Sequence, residues 1–428
     1  MGFRKYRILA LATTAVLLTA CADSASGTAG EPVRLAVNEA PSVPATPEPV
    51  TQQTDFETWL VRFRGEALAA GISPVTVERS LRGLRILPDV LAADSSQPEF
   101  VKPVWSYLDG AVSDARVARG RELLGIRQPV LAAMEHDYGV PAEIVVAIWG
   151  MESNFGANMG GHNVIEALAT LAWHGRRAEF AREQLLAALR IIDQGDIAPE
   201  RMVGSWAGAM GQTQFIPTTF AVHAVDRDGD GRRDLWNSLP DVFGSTANYL
   251  YRSGWRAGES WGAEVLLPAN FNYELADLSI RKSVAEWRHL GVQPMPGTRT
   301  LRDDAEAALL LPAGFRGPAF LIQDNFRAIL KYNNSTSYAL AVAYLGDRLM
   351  GRSPVLAAWP RDERPLSRDE RVELQTLLAA RGYSAGTPDG IVGVMTRAAI
   401  RNFQKESGLP ADGFPTTGLL SRLRIGGA

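Results

Sequence analysis

The stretch Pro141-Ala-Glu-Ile-Val-Val-Ala-Ile-Trp-Gly-Met-Glu152-Ser-Asn-Phe-Gly156 sets a carboxylate at the far end of an almost wholly apolar run. Pro141 suits a first helical turn and Gly156 suits an exit, so the spacing predicts a helix between them. Helical periodicity puts Glu152 on one face with Val145, Ile148 and Trp149, so its carboxyl group is expected to emerge from a dry, packed surface. Desolvation and the negative end of the helix dipole both disfavour the carboxylate form there. Such a group holds its proton near neutral pH and can donate it to a leaving oxygen. Taken alone, the segment fits better an ordinary helix-end Glu paired with an arginine.

The remaining sequence narrows the setting. With 428 residues, 46% hydrophobic and 21% charged, the chain can build a sizeable core and two or three domains. Lys+Arg 44 against Asp+Glu 47 leaves a net charge of -3, so no global basic field draws it to nucleic acid, and no nucleic-acid partner is expected. Arg4, Lys5 and Arg7 precede an apolar run from Ile8 to Leu18 that is too short to span a bilayer comfortably. Residues 1–20 read as an export signal ending in Leu18-Thr19-Ala20-Cys21, which resembles a bacterial lipobox. Cleavage before Cys21 would leave that thiol as a lipid anchor to a membrane, and a plain secretory signal with an incidental cysteine is the alternative. Cys21 is the only cysteine, so no intramolecular disulfide forms. By the usual bacterial sorting pattern, Ala22 after the cysteine favours the periplasmic face of the outer membrane over the inner membrane.

Residues 21–54 are rich in Ala, Ser, Thr, Pro and Glu and read as a tether. Residues 55–355 are mainly helical in pattern, as in Trp59-Leu-Val-Arg-Phe and Gln184 to Ile192, with short strands expected near Ala263 to Leu267 and Ala319 to Ile322. A linker, 356–367, precedes a segment of about sixty residues, 368–425, the size of a small separate module. In that segment Leu374-Gln and Phe403-Gln pair with two Asp-Gly turns, Asp389-Gly and Asp412-Gly. This layout suggests a three-helix unit and resembles the peptidoglycan-binding domain type one.

Two further segments carry chemistry. Gly204-Ser-Trp-Ala-Gly-Ala-Met-Gly-Gln-Thr-Gln-Phe-Ile-Pro217 is dense in small residues, which lets backbone approach a ligand or another helix closely. Tyr332-Asn-Asn-Ser-Thr-Ser-Tyr338 offers polar and aromatic groups suited to sugar faces, or equally a capped helix start. Glu152-Ser-Asn-Phe-Gly, then Ala207-Gly-Ala-Met-Gly with Gln214-Phe, then Tyr332-Asn333, stand in an order that resembles the membrane-bound lytic murein transglycosylase B family. The resemblance implies an α+β, mainly helical, lysozyme-like catalytic domain, followed by the small three-helix module. It implies that Glu152 is a single catalytic acid and that Ser205, Gln214, Tyr249, Tyr332, Asn333 and Tyr338 line a glycan groove, with no role for Gln212. The implied substrate is peptidoglycan, cleaved between N-acetylmuramic acid and N-acetylglucosamine to a 1,6-anhydromuramyl product. A hydrolytic muramidase with a second carboxylate and a non-catalytic wall-binding scaffold are the competing readings.

Asp226, Asp228, Asp230 and Asp234 fall at positions one, three, five and nine of an EF-hand-like loop, with Gly231 at six. Asn237 stands where a regular loop ends in Glu. The resembling family uses a longer loop, which implies Asp226, Asp228, Asp230, the Arg232 carbonyl and Asp241 as calcium ligands. Such an ion would stabilise rather than catalyse, and no cofactor for catalysis is expected; an acidic turn without metal is the alternative.

Overall fold

The computed structural model describes residues 50–95 and 102–425, so the export signal and Cys21 lie outside the described residues. Helix Ala142–Ser153 is its centre. Ile144, Val145, Val146, Ala147, Ile148, Trp149, Gly150, Met151 and Ser153 are all buried. A helix that is apolar all round must be enclosed, and this one is. Helices Thr336–Leu349, Asp114–Ile126, Gln128–Tyr138 and Leu239–Arg252 pack around it. Pro141 is the residue before the first turn rather than within it, and the helix closes at Ser153, earlier than Gly156. Asn154, Phe155 and Gly156 all take left-handed backbone, at φ 49°, 59° and 82°. That hook folds Phe155 back so that its ring meets Trp149 edge-on at 5.5 Å. A Cβ on Gly150 would lie 2.6 Å from the Phe155 ring, which is why glycine stands in mid-helix.

The first described helix, Val50–Ala69, begins within the stretch read as tether. Phe56, Leu60 and Phe63 bury one stripe of it, and that stripe carries the helix back towards Val50.

An antiparallel five-stranded sheet leans on the helical body, with strand order Lys282–Ser283, Glu306–Leu310, Ala319–Ile322, Gly262–Leu266 and Gln293–Pro294. Its central strands are buried on both faces. Ala308, Leu310, Phe320 and Ile322 join the helical core, while Ala307, Leu309, Ala319 and Leu321 turn to a smaller core around Trp287. Alternate residues therefore serve different cores, so the strands read as unbroken apolar runs. Glu264, buried in one of them, accepts from the Leu356 and Ala357 backbone N–H groups at 2.9 and 2.7 Å and pins the start of the linker.

Helices Arg368–Ala380, Val394–Glu406 and Thr417–Ile425 form a third core with Leu374, Leu378, Ile400, Leu420 and Leu423. The two glutamines do matching work. Gln375 accepts from the Gly390 N–H at 2.8 Å, and Gln404 accepts from the Gly413 N–H at 2.9 Å, so each holds one Asp-Gly turn. The module docks on the body through Arg401, which donates to Asp277 at 3.1 Å and to the Ala276 carbonyl at 2.8 Å. Lys405 meets Glu274 at 2.9 Å, and Asp412 accepts from the Phe315 N–H at 2.8 Å.

Candidate active site

Glu152 occupies the last turn of its helix and is half-buried. The Tyr338 hydroxyl, from the start of helix Thr336–Leu349, donates to Glu152 Oε1 at 2.5 Å. Burial pushes the Glu152 pKa up to about 7, and the tyrosine bond pulls against it. Desolvation is therefore the dominant cause, and no other carboxylate contributes. The carboxyl group sits near the midpoint of its titration at neutral pH, where it can give up a proton and take one back.

An aromatic wall continues from Tyr338. Tyr332, buried, ends helix Asp324–Tyr332 and donates its hydroxyl to the Thr213 carbonyl at 2.7 Å. Desolvation, with the nearby Glu152 charge second, raises both Tyr332 and Tyr338 well above the usual phenol range, so both stay protonated donors. Tyr249 packs against Tyr332 at 4.8 Å and Phe215 at 5.6 Å, and donates its hydroxyl to the Lys331 carbonyl at 2.5 Å. The Tyr249 and Tyr332 hydroxyls are thus spent on backbone, and these rings shape the wall. Asn333 is buried to 6% exposure, yet its side-chain amide makes no hydrogen bond among the described residues and is available to a ligand.

The small-residue segment packs against this wall, with the Phe215 ring 5.6 Å from Tyr249 and 5.6 Å from Tyr332. Ser205 Oγ accepts from the Ala209 N–H at 3.0 Å in a tight turn. Gln214, at φ 52°, donates to the Gly211 carbonyl at 2.8 Å and to the Met159 carbonyl at 3.1 Å, tying the segment to the loop just past Glu152.

The acidic loop lies apart from these groups in the chain. The Asp226, Asp228 and Asp230 carboxylates are exposed, with one oxygen of each within 4.8 Å of the others. Asp241 stands outside that cluster. Fully buried, it accepts from the Arg227 N–H at 2.6 Å and the Asp234 N–H at 2.8 Å, one on each oxygen, and so organises the loop backbone. The Arg232 side chain pairs with Asp230 at 3.0 Å.

The model of the transglycosylase SLT domain matches residues 55–347, and that of a putative peptidoglycan binding domain matches residues 367–423. The chain belongs to the transglycosylase SLT family. It is 36% identical over 216 residues to membrane-bound lytic murein transglycosylase B of Escherichia coli, a match that covers 49% of this chain and 57% of that protein. The chain thus spans little more than half the length of that relative. Among solved structures, SltB3 from Pseudomonas aeruginosa in complex with NAG-anhNAM-pentapeptide is 56% identical, with a TM-score of 0.84 over 86% of this chain and 99% of that one. The Escherichia coli lytic transglycosylase Slt35 in complex with calcium is 28% identical, with a TM-score of 0.58 over 70% of this chain and 93% of that one.

The SLT domain contains one supporting residue that the sequence reading passed over. Gln212 Oε1 accepts from the buried Trp149 indole N–H at 2.7 Å, and Gln212 Nε2 donates to the Trp236 carbonyl at 2.8 Å. A Cβ on Gly156 would lie 2.4 Å from Gln212 Oε1, so the amide is wedged under the hook that follows Glu152. Gln212 therefore fixes helix Ala142–Ser153 one turn before Glu152. It also links that helix to the acidic loop, because the Trp236 N–H donates to Asp234 at 2.9 Å.

Proposed function

We propose that Glu152 is the acid and then the base of a lytic murein transglycosylase. The enzyme cleaves the β-1,4 bond between N-acetylmuramic acid and N-acetylglucosamine in peptidoglycan. Protonated Glu152 donates to the glycosidic oxygen as the bond to the muramoyl anomeric carbon breaks. The resulting carboxylate, steadied by the Tyr338 hydroxyl, takes the proton of the muramoyl 6-hydroxyl. That oxygen then closes on the anomeric carbon, giving the 1,6-anhydro product without consuming water. One observation carries the reading: a lone desolvated carboxyl group with a pKa of about 7, bonded to Tyr338. An ordinary glycosidase divides these roles between two carboxylates, and no second one perturbs Glu152 among the described residues. Ser205, Gln214 and Asn333 are the polar contacts proposed for the glycan, with Tyr249, Tyr332 and Tyr338 as its wall. Reaction in ¹⁸O-labelled water tests the chemistry. The anhydro product carries no label, whereas a hydrolytic muramidase would place one at the muramic C1.

The acidic loop suits a hard, oxygen-bound cation, and Slt35 was solved with calcium. Asp226, Asp228 and Asp230 would hold calcium, with the Arg232 carbonyl completing the set and Asp241 shaping the loop beneath it. The ion would stabilise the fold and takes no part in the proton transfers. Among the described residues no helix is long and apolar enough to cross a membrane. Lipidation of Cys21 would supply the membrane tether, on the periplasmic face of the outer membrane, and metabolic labelling with an alkynyl fatty acid tests it through Cys21→Ser.

A further inference from the structure

Ser153, the residue after the acid, is 1% exposed. Its hydroxyl donates to the Trp149 carbonyl at 3.2 Å and accepts from the Gly156 N–H at 3.0 Å. It therefore spans the foot of the hook and ties the exit to the last turn of the helix. The Ser153 carbonyl adds a second tie, accepting from the Asn158 N–H at 2.8 Å.

The hook needs such ties. Asn154 and Phe155 hold left-handed backbone at φ 49° and 59°, a conformation that is costly for a residue with a Cβ, and the cost falls on two residues in succession. Strain of this kind persists only where the surroundings hold it, and here it stands next to the reacting group. Past the latch the hook leans on the residues around Glu152. Gly156 lies against the Gln212 amide, and the next residue, Thr213, accepts from the Tyr332 hydroxyl at 2.7 Å. The Met159 carbonyl accepts from Gln214 at 3.1 Å. Tyr332 and Tyr338 are the titratable groups that feel the Glu152 charge among the described residues, and both stay neutral near pH 7. Exclusion of water, which is the largest influence on this carboxyl group, therefore depends on the hook staying closed.

We infer that Ser153 is a positioning residue for the reaction: its hydroxyl latches the hook and so keeps Glu152 enclosed and aimed at Tyr338. Serine suits the task because one small oxygen must donate to Trp149 and accept from Gly156 at once, in a space closed to solvent. The inference rests on the transglycosylase reading of Glu152.

Kinetics of the full chain on purified peptidoglycan test the latch, together with a ¹³C NMR titration of the Glu152 carboxyl group, whose signal is identified by its loss in Glu152→Gln. Ser153→Ala is expected to lower kcat about tenfold with little change in KM. As water reaches the carboxyl group, the alkaline limb of the rate profile and the NMR midpoint move down together by about one pH unit. Ser153→Thr keeps both hydrogen bonds and recovers most of kcat and the original limb. Asn154→Gly on the Ser153→Ala chain recovers part of both, because glycine takes left-handed backbone without strain. A limb and midpoint that stay in place in Ser153→Ala overturn the proposal even if kcat or Tm falls, since Ser153 would then support the fold alone. No recovery in either of the other chains overturns it too. Where Ser153→Ala fails to fold, Ser153→Cys is read in its place, a thiol being the weaker hydrogen-bonding group: a limb displaced downward supports the latch and an unmoved one overturns it. If the wild type releases no anhydro product, the transglycosylase reading fails, and the NMR midpoint alone judges the latch by the same two outcomes.

Discussion

Replacing Glu152 by Gln should stabilise the fold, and by more as pH rises. Burial lifts the carboxyl pKa from 4.5 to about 7 despite the bond from Tyr338. The folded chain therefore keeps a proton that the unfolded chain releases at lower pH. A raised pKa contributes stability that is fully present below the unfolded value, here 4.5, and that is lost as pH climbs through about 7. The loss is bounded by the shift: about two and a half units at about 1.36 kcal/mol each, or about 3 kcal/mol in all. Gln is close in size, neutral throughout, and offers Tyr338 an acceptor in the same place. The advantage of Glu152→Gln should thus be smallest near pH 4.5 and approach about 3 kcal/mol at about pH 8. Calorimetric unfolding of the two chains across this range reads the effect as a widening gap of a few degrees in Tm. A gap that does not change with pH, or a wild type more stable than the variant at high pH, would refute the desolvated acid.

Other perturbations separate the supporting groups. Tyr338→Phe removes the bond that favours the carboxylate, so the alkaline limb of the kcat/KM profile should move up by about one pH unit while the plateau falls; a limb displaced downward contradicts the assignment. Gln212→Ala leaves the Trp149 indole N–H and the Trp236 carbonyl buried without partners, which should cost about 2–4 kcal/mol in urea unfolding and lower kcat. An unaltered kcat would mean that Gln212 supports the fold but not the acid. Calcium at about a hundred times its Kd should stabilise the chain by about 2.7 kcal/mol, an effect that Asp228→Asn abolishes. A chelator should lower Tm and leave kcat unchanged well below the transition.

The acid-bearing helix was legible because its composition admits only a buried helix. Its exit was not. The reading placed the exit at Gly156, but the Phe155 ring must fold onto Trp149, and that tertiary contact reverses the backbone from Asn154 onward. Strands Gly262–Leu266 and Ala319–Ile322 were visible from their sequence, whereas Glu306-Ala-Ala-Leu-Leu310 has helix-forming residues and becomes a strand through its neighbours. Tyr332 and Tyr338 could be gathered into one motif from sequence, but not told apart. Only the structure gives one hydroxyl to a carbonyl and the other to Glu152. Gln212 carried no local signal, since Trp149 and Trp236 stand 63 and 24 residues away. Asp241 was implied as a metal ligand by the resemblance and not by the loop spacing, which ends at Asn237; it lies in the first turn of helix Leu239–Arg252 and accepts from two loop N–H groups.

The central claim is that one carboxyl group, Glu152, serves first as acid and then as base. Mass spectrometry of the fragments released from purified peptidoglycan by the wild-type and Glu152→Gln chains tests it most directly. The account predicts 1,6-anhydromuramyl fragments from the wild type and none from the variant. Fragments with a reducing-end muramic acid, or anhydro fragments released equally by both chains, would contradict it.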